Sequence, residues 1–105
     1  MENRSDKIYS IEELKERLTP VFAAAPVYKA ILFGSYAKGV ADGESDVDIV
    51  IDSRRELINI HFYGVAGNVE DALGKEVDLI EISQIRPESP ILRCIQEEGI
   101  VIYER

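Results

Sequence analysis

Residues Gly34–Asp52, GSYAKGVADGESDVDIVID, limit what this chain can fold into more than any other stretch. An apolar run, Ala30-Ile31-Leu32-Phe33, ends in a Gly-Ser pair. A polar loop containing glycine follows, and then Asp46 and Asp48 enter a second apolar run. Val47, Ile49, Val50 and Ile51 are mostly β-branched, so Asp46–Ile51 reads as a strand. Alternation puts Asp46 and Asp48 on one face of it and Val47, Ile49 and Ile51 on the other. Asp52 shares the acidic face but lies roughly 13 Å beyond Asp48 at strand rise, too far to share an ion with it.

Two carboxylates at that spacing repel unless something cationic sits between them. A hard divalent cation fits, because Mg²⁺ takes oxygen ligands and often only one or two carboxylates plus substrate phosphates. The Gly-Ser pair suits the opposite charge. Gly34 ends a strand and opens a short helix, Ser35 to Lys38, whose free N–H groups can bind phosphate. Glycine lets phosphate approach the backbone closely, and the Ser35 hydroxyl can donate to it. An anion site and a cation site, each at a strand end, form the two halves of a pocket for a metal–nucleoside triphosphate.

Two competing motifs fail on single residues. Gly34–Gly39 opens like a Walker A loop, but Val40-Ala41 stand where Lys and Ser/Thr are required. Asp42, Glu44 and Asp46 have the spacing of an EF-hand loop, but Val47 takes its glycine position and Ser53 its bidentate Glu position.

Gly-Ser, ten residues, then Asp-x-Asp resembles the signature of the polymerase-beta-type nucleotidyltransferase superfamily. Leu32–Gly39 followed by Ser45–Ile49 is most similar to the small prokaryotic minimal nucleotidyltransferases, commonly the antitoxin half of HEPN/MNT toxin–antitoxin pairs. The resemblance covers about residues 11–103. It implies a small mixed α/β (α+β) fold, with about four strands and helices packed on the sheet. It also implies a third acidic position. Asp78 fills it, in Glu76-Val77-Asp78-Leu79-Ile80-Glu81-Ile82. In such enzymes this residue helps hold the catalytic metal and draws a proton from the attacking hydroxyl. Independently of the family, a lone Asp among strand apolars is costly to bury unpaired. A strand beside Asp46–Ile51 would bring it to the other two.

The mechanism expected from these residues is adenylyl transfer. Asp46 and Asp48, with Asp78, would hold two Mg²⁺ ions about 3.5–4 Å apart. Gly34 and Ser35 would hold the triphosphate of ATP, and Lys38 would neutralise charge near the leaving pyrophosphate. Many relatives carry Arg at position 38, and Lys offers a point charge in place of a fork. An acceptor hydroxyl would attack the α-phosphorus, with positioning and electrostatics supplying most of the catalysis.

Length and charge bound the rest. The chain has 105 residues, enough for one domain. Larger relatives close over the nucleotide with a further lobe, for which this length leaves no room. The pocket is therefore expected to be open and completed by a partner or a second copy; under the family analogy the partner is a HEPN ribonuclease. The net charge is −8 and the pI about 4.6. No basic stripe suits direct nucleic-acid binding, and an acidic surface favours a basic protein partner. No run approaches a membrane span, and the polar N-terminus does not read as a signal peptide. A single cysteine, Cys94, excludes an internal disulfide and fits a cytoplasmic location.

In chain order, residues 1–9 read as a loose tail and 10–105 as a single nucleotidyltransferase domain. Ser10-Ile11-Glu12-Glu13 is a capping box. Ile11, Leu14, Leu18, Val21 and Phe22 predict a helix over 11–24, which Pro20 is expected to kink or split. Tyr28–Phe33 is the first strand. Ile58, Phe62, Val65, Val69, Ala72 and Leu73 predict a helix over 58–73, weakened at Gly64 and Gly67 and capped by Gly74. Glu76–Ile82 is the third strand. Ser89-Pro90 opens a short helix with Ile91, Leu92 and Ile95 facing inward, and Ile100–Tyr103 is the last strand. His61 and Tyr63 on the second long helix, and Tyr103, read as surface or packing residues; Cys94 reads as a buried small side chain.

Three functions compete. The first is a Mg²⁺-dependent protein adenylyltransferase acting as antitoxin on a cognate toxin. The second is a non-catalytic antitoxin that neutralises by binding. The third is a small-molecule nucleotidyltransferase, disfavoured because one small lobe cannot enclose a second small substrate. Three carboxylates aimed at one pocket favour the first.

Overall fold

The computed structural model describes residues 7–105. The first helix, α1 (Ile11–Ala23), begins where its capping box requires: Glu13 N–H donates to Ser10 Oγ, and Ser10 N–H to the Glu13 carboxylate. Leu14, Leu18 and Phe22 point from it into the core and are fully buried. Each contributes roughly 1.5–3 kcal/mol of transfer free energy. Pro20 does not split the helix, which continues through it to Ala23. Proline removes only the bond to the carbonyl one turn back. Val21 and Phe22 pack on the core beyond it, and Ala24 N–H bonds back to Pro20 O.

Four strands follow in one sheet: β1 (Lys29–Phe33), β2 (Val47–Asp52), β3 (Val77–Glu81) and β4 (Ile100–Glu104), in the order β3-β2-β1-β4. β1 pairs antiparallel with both β2 and β4, while β2 and β3 run parallel. The parallel pair needs a crossover, supplied by α3 (Asn59–Leu73). Gly64 and Gly67 do not break α3, because Val65, Val69 and Leu73 anchor it on the sheet. Gly74 ends it at φ 64°, the left-handed cap that glycine adopts without penalty.

One sheet face, carrying Ala30, Leu32, Val47, Ile49, Ile51, Leu79 and Ile102, packs with α1 and α3 as the main core. The opposite face is covered in part. There Phe33 and Val50 meet Ile95 of α4 (Pro90–Glu98). Leu92 is half-buried behind it; Ile91, expected inward, is exposed, and Cys94 is half-buried. A short helix, α2 (Ser35–Lys38), follows β1 directly.

Of the expected tail, residues 1–6 lie outside the described residues. Tyr9 is tied down: its ring is buried and its hydroxyl donates to Leu73 O at 2.6 Å.

Candidate active site

Strand register assembles the site. Asp48 on β2 faces Phe33 of β1 on one side and Asp78 of β3 on the other. Gly34 therefore lies beside Asp48. Its backbone, φ 75° and ψ −152°, is in a region essentially reserved for glycine. A Cβ built there would stand 2.2 Å from Asp48 Oδ2. Gly34 caps α2, and its carbonyl accepts from Lys38 N–H at 3.1 Å. Gly39, φ 76°, turns the chain out of that helix.

The loop from Gly39 to Asp46 is knotted by Asp42. Its carboxylate accepts from Glu44 N–H and from the Ser45 hydroxyl, while Ser45 Oγ accepts from Asp42 N–H. Asp42 and Glu44 are exposed, as solvated loop charges should be. The loop delivers Asp46 to the mouth of β2.

The carboxylates sit in graded surroundings. Asp48 is half-buried, and Asp46 and Asp78 are exposed. Burial first, then the charges of Asp78 and Asp46, push the Asp48 carboxyl up to about 6. Asp46 and Asp78 also line a cleft of about 360 Å³ with Glu70, Glu76 and Val77. Glu70 and Glu76 carry no signal in the motif, since one lies in a helix and the other before a strand. Asp52 sits at the far end of β2 opposite Lys29, away from the other carboxylates as its spacing requires.

Among the described residues, no group of three or more acidic, histidine or cysteine side chains is close enough together to hold one metal ion. The donor set still fits Mg²⁺ in its chemistry. All the donors are hard oxygens, and Mg²⁺ commonly takes one or two carboxylates and completes its shell with phosphate and water. Burial first, and then the charges of Asp78 and Asp46, disfavour the Asp48 anion, and a bound cation would offset both.

Lys38 is exposed and pairs with Glu98 of α4, Nζ to Oε1 at 3.6 Å. Tyr103 packs on Phe22 at 5.7 Å between ring centroids, while Tyr63 and His61 are exposed on α3. Two further polar residues escaped the motif reading. Lys75 and Glu81 are each only 3% exposed. Strand alternation could have flagged Glu81, since Val77 and Leu79 place that register on the core face.

A family model described as the nucleotidyltransferase domain matches residues 8–102. The chain is 31% identical over 78 residues to a Methanocaldococcus jannaschii protein provisionally named a protein adenylyltransferase, spanning 74% of this chain and 84% of that one. It is 32% identical over 71 residues to protein adenylyltransferase MntA of Thermococcus cleftensis, spanning 68% and 70%. A toxin–antitoxin crystal structure with AMP-PNP superposes with a TM-score of 0.71 at 23% identity, covering 87% of this chain and 73% of that one. A tri-AMPylated Shewanella oneidensis HEPN toxin in complex with MNT antitoxin gives 0.64 at 21%, covering 90% and 73%. These two structures establish the likeness of fold.

Proposed function

This chain belongs to the nucleotidyltransferase domain family, and from that premise we propose that it transfers AMP from ATP to a hydroxyl of a protein acceptor, a HEPN toxin, for which it is the antitoxin. The observation that carries the proposal is that Asp48 on β2 lies between Gly34, just past the end of β1, and Asp78 on the neighbouring β3. That placing puts a phosphate-compatible turn directly against an acidic, partly desolvated site. Relatives named protein adenylyltransferases support the reaction. A neighbouring fold seen beside a tri-AMPylated HEPN toxin supports the acceptor class.

Gly34 and Ser35 would receive the triphosphate, the glycine by leaving the backbone open and the serine by donating its hydroxyl. Asp46, Asp48 and Asp78 would hold Mg²⁺, which when bound neutralises phosphate charge and polarises the α-phosphoryl group. Asp78, exposed on the edge strand β3, is open to the hydroxyl of another protein and would take its proton. A bond forms between that oxygen and the α-phosphorus, the bond to the bridging oxygen breaks, and pyrophosphate leaves. Lys38 would exchange Glu98 for the departing phosphates. This exposed pair holds it weakly.

Neutralisation by binding alone is the second reading, favoured by the absence of a preformed three-carboxylate cluster among the described residues. Incubating the chain with α-labelled ATP, Mg²⁺ and a lysate of its source cell separates the two. A labelled protein band from wild type, absent with Asp46→Asn and with Asp48→Asn, supports transfer. Labelling retained by both variants overturns the site assignment. Capture of the toxin without any label favours the second reading.

A further inference from the structure

Lys75 is buried, and nothing in the transfer step just described uses it. Its Nζ donates to Gly43 O at 3.2 Å and to Lys7 O at 3.1 Å. The next residue adds a second grip: Glu76 O accepts Val47 N–H at 3.3 Å. Gly43 and Val47 flank Asp46. The dipeptide Lys75-Glu76 thus holds the chain on both sides of Asp46, and two residues later the same segment presents Asp78. Within the loop, the bonds made by Asp42 and Ser45 are exposed. They compete with water, whereas the ammonium bond from Lys75 is partly screened from it.

We infer that Lys75 is a positioning residue for the cation–nucleotide site. By holding the Gly43 carbonyl it fixes Asp46 relative to Asp78, and it sets how strongly a divalent cation tightens nucleotide binding. The inference rests on the reading of Asp46, Asp48 and Asp78 as cation ligands. Lys75 is 3% exposed and acts through the backbone carbonyl it holds. Its loss acts through the spacing of the carboxylates, as the loss of a residue that orients metal ligands does.

The test is calorimetric titration of the folded chain with α,β-methylene ATP, which cannot be transferred, once with Mg²⁺ and once with EDTA. Lys75→Met is expected to bind the analogue about tenfold more weakly than wild type with Mg²⁺, and within about twofold of it in EDTA. Lys75→Arg keeps a cation and its donors, and is expected to restore most of the Mg²⁺-dependent affinity. Leu18→Ala, which loosens α1 against the core, is expected to leave both affinities within about twofold despite lower stability. Should the Met variant not fold, Lys75→Gln is measured in the same way and decides on the same criterion. Unchanged affinity with Mg²⁺ overturns the inference and leaves the cation reading standing. Equal weakening with and without Mg²⁺ also overturns it, as the mark of general loosening. If Mg²⁺ does not tighten binding in wild type, or tightens Asp48→Asn equally, the cation reading and the inference fall together.

Discussion

Gly34 and Asp48 meet across β1 and β2 so closely that a methyl group on Gly34 would lie 2.2 Å from the Asp48 carboxylate. The glycine is required twice, by this contact and by its φ of 75° with ψ of −152°. Gly34→Ala must displace Asp48 or the turn. It is expected to reduce adenylyl transfer about 100-fold, the scale of a misplacement near 1 Å, and to cost about 1–3 kcal/mol of stability. Gly39 is the control. It has φ 76° but open space around it, so Gly39→Ala should cost about 1–2 kcal/mol and keep most of the activity. Parallel transfer assays and thermal melts of the two variants check this; equal activities would sink the steric account.

The Asp48 carboxyl gives a second prediction, for the metal-free protein. Burial, with Asp78 and Asp46 adding to it, holds the folded-state pKa near 6 against an ordinary 3.8. Between those values the folded chain binds more protons than the unfolded one, so stability falls as pH rises from about 4 to about 6. Asp48→Asn removes that loss and should be more stable than wild type at pH 7, by about 1–2 kcal/mol after discounting for partial exposure. Mg²⁺ competes with the same proton, so transfer by wild type should decline below about pH 6. Melts of both proteins from pH 4 to 8, with EDTA, test the first part; a slope shared by both would refute it.

Much of the site could be read from local pattern. The division of Asp46 and Asp48 from Val47, Ile49 and Ile51 follows from strand alternation and holds in the packing. The capping box of α1 and the caps at Gly74 and Ser89 also need only neighbouring residues. What local pattern does not contain is pairing. That Asp78 lies opposite Asp48, and Phe33 on its other side, depends on which strands meet and in what direction. The helix breakers misled for a related reason. Pro20, Gly64 and Gly67 carry local penalties, but the core contacts of Phe22, Val65 and Val69 override them. Lys75 was hidden because its partners, Gly43 and Lys7, are backbone carbonyls distant in sequence.

Glu81 supplies a third prediction, on stability. Its carboxylate is buried at the end of β3 and accepts from the N–H and hydroxyl groups of both Ser53 and Ser83. Ser53 Oγ in turn accepts Leu57 N–H, so the cluster fixes the chain as it leaves β2. Burial pushes this carboxyl up, but the bonds from Ser83 and Ser53 outweigh it and leave it below the ordinary 4.5. A depressed carboxylate stabilises above its unfolded pKa, and that contribution disappears as pH falls through the folded value. Glu81→Ala strands buried donors and should cost about 2–4 kcal/mol at pH 7, with less difference from wild type in acid. Urea unfolding at pH 7 and pH 3 checks both, and a difference that is constant with pH would exclude the carboxylate as its source.

Tyr36 gives the last prediction, of opposite sign. It lies on α2 beside Ser35, yet its side chain turns into the core and its ring is buried. The hydroxyl is buried with no partner at full hydrogen-bond geometry among the described residues, although the Tyr9 backbone approaches it, and burial raises its pKa above the ordinary 10.0. A buried hydroxyl left unpaired costs about 1–3 kcal/mol. Tyr36→Phe keeps the ring and deletes the cost, so it should leave stability unchanged or raise it by about 1 kcal/mol, against the usual direction of core substitutions. Because the hydroxyl makes no hydrogen bond to Gly34, Ser35 or Asp48, transfer should stay within about twofold. A fall in melting temperature for Tyr36→Phe would show that the hydroxyl has a partner after all. A loss of transfer at unchanged stability would place it in the chemistry.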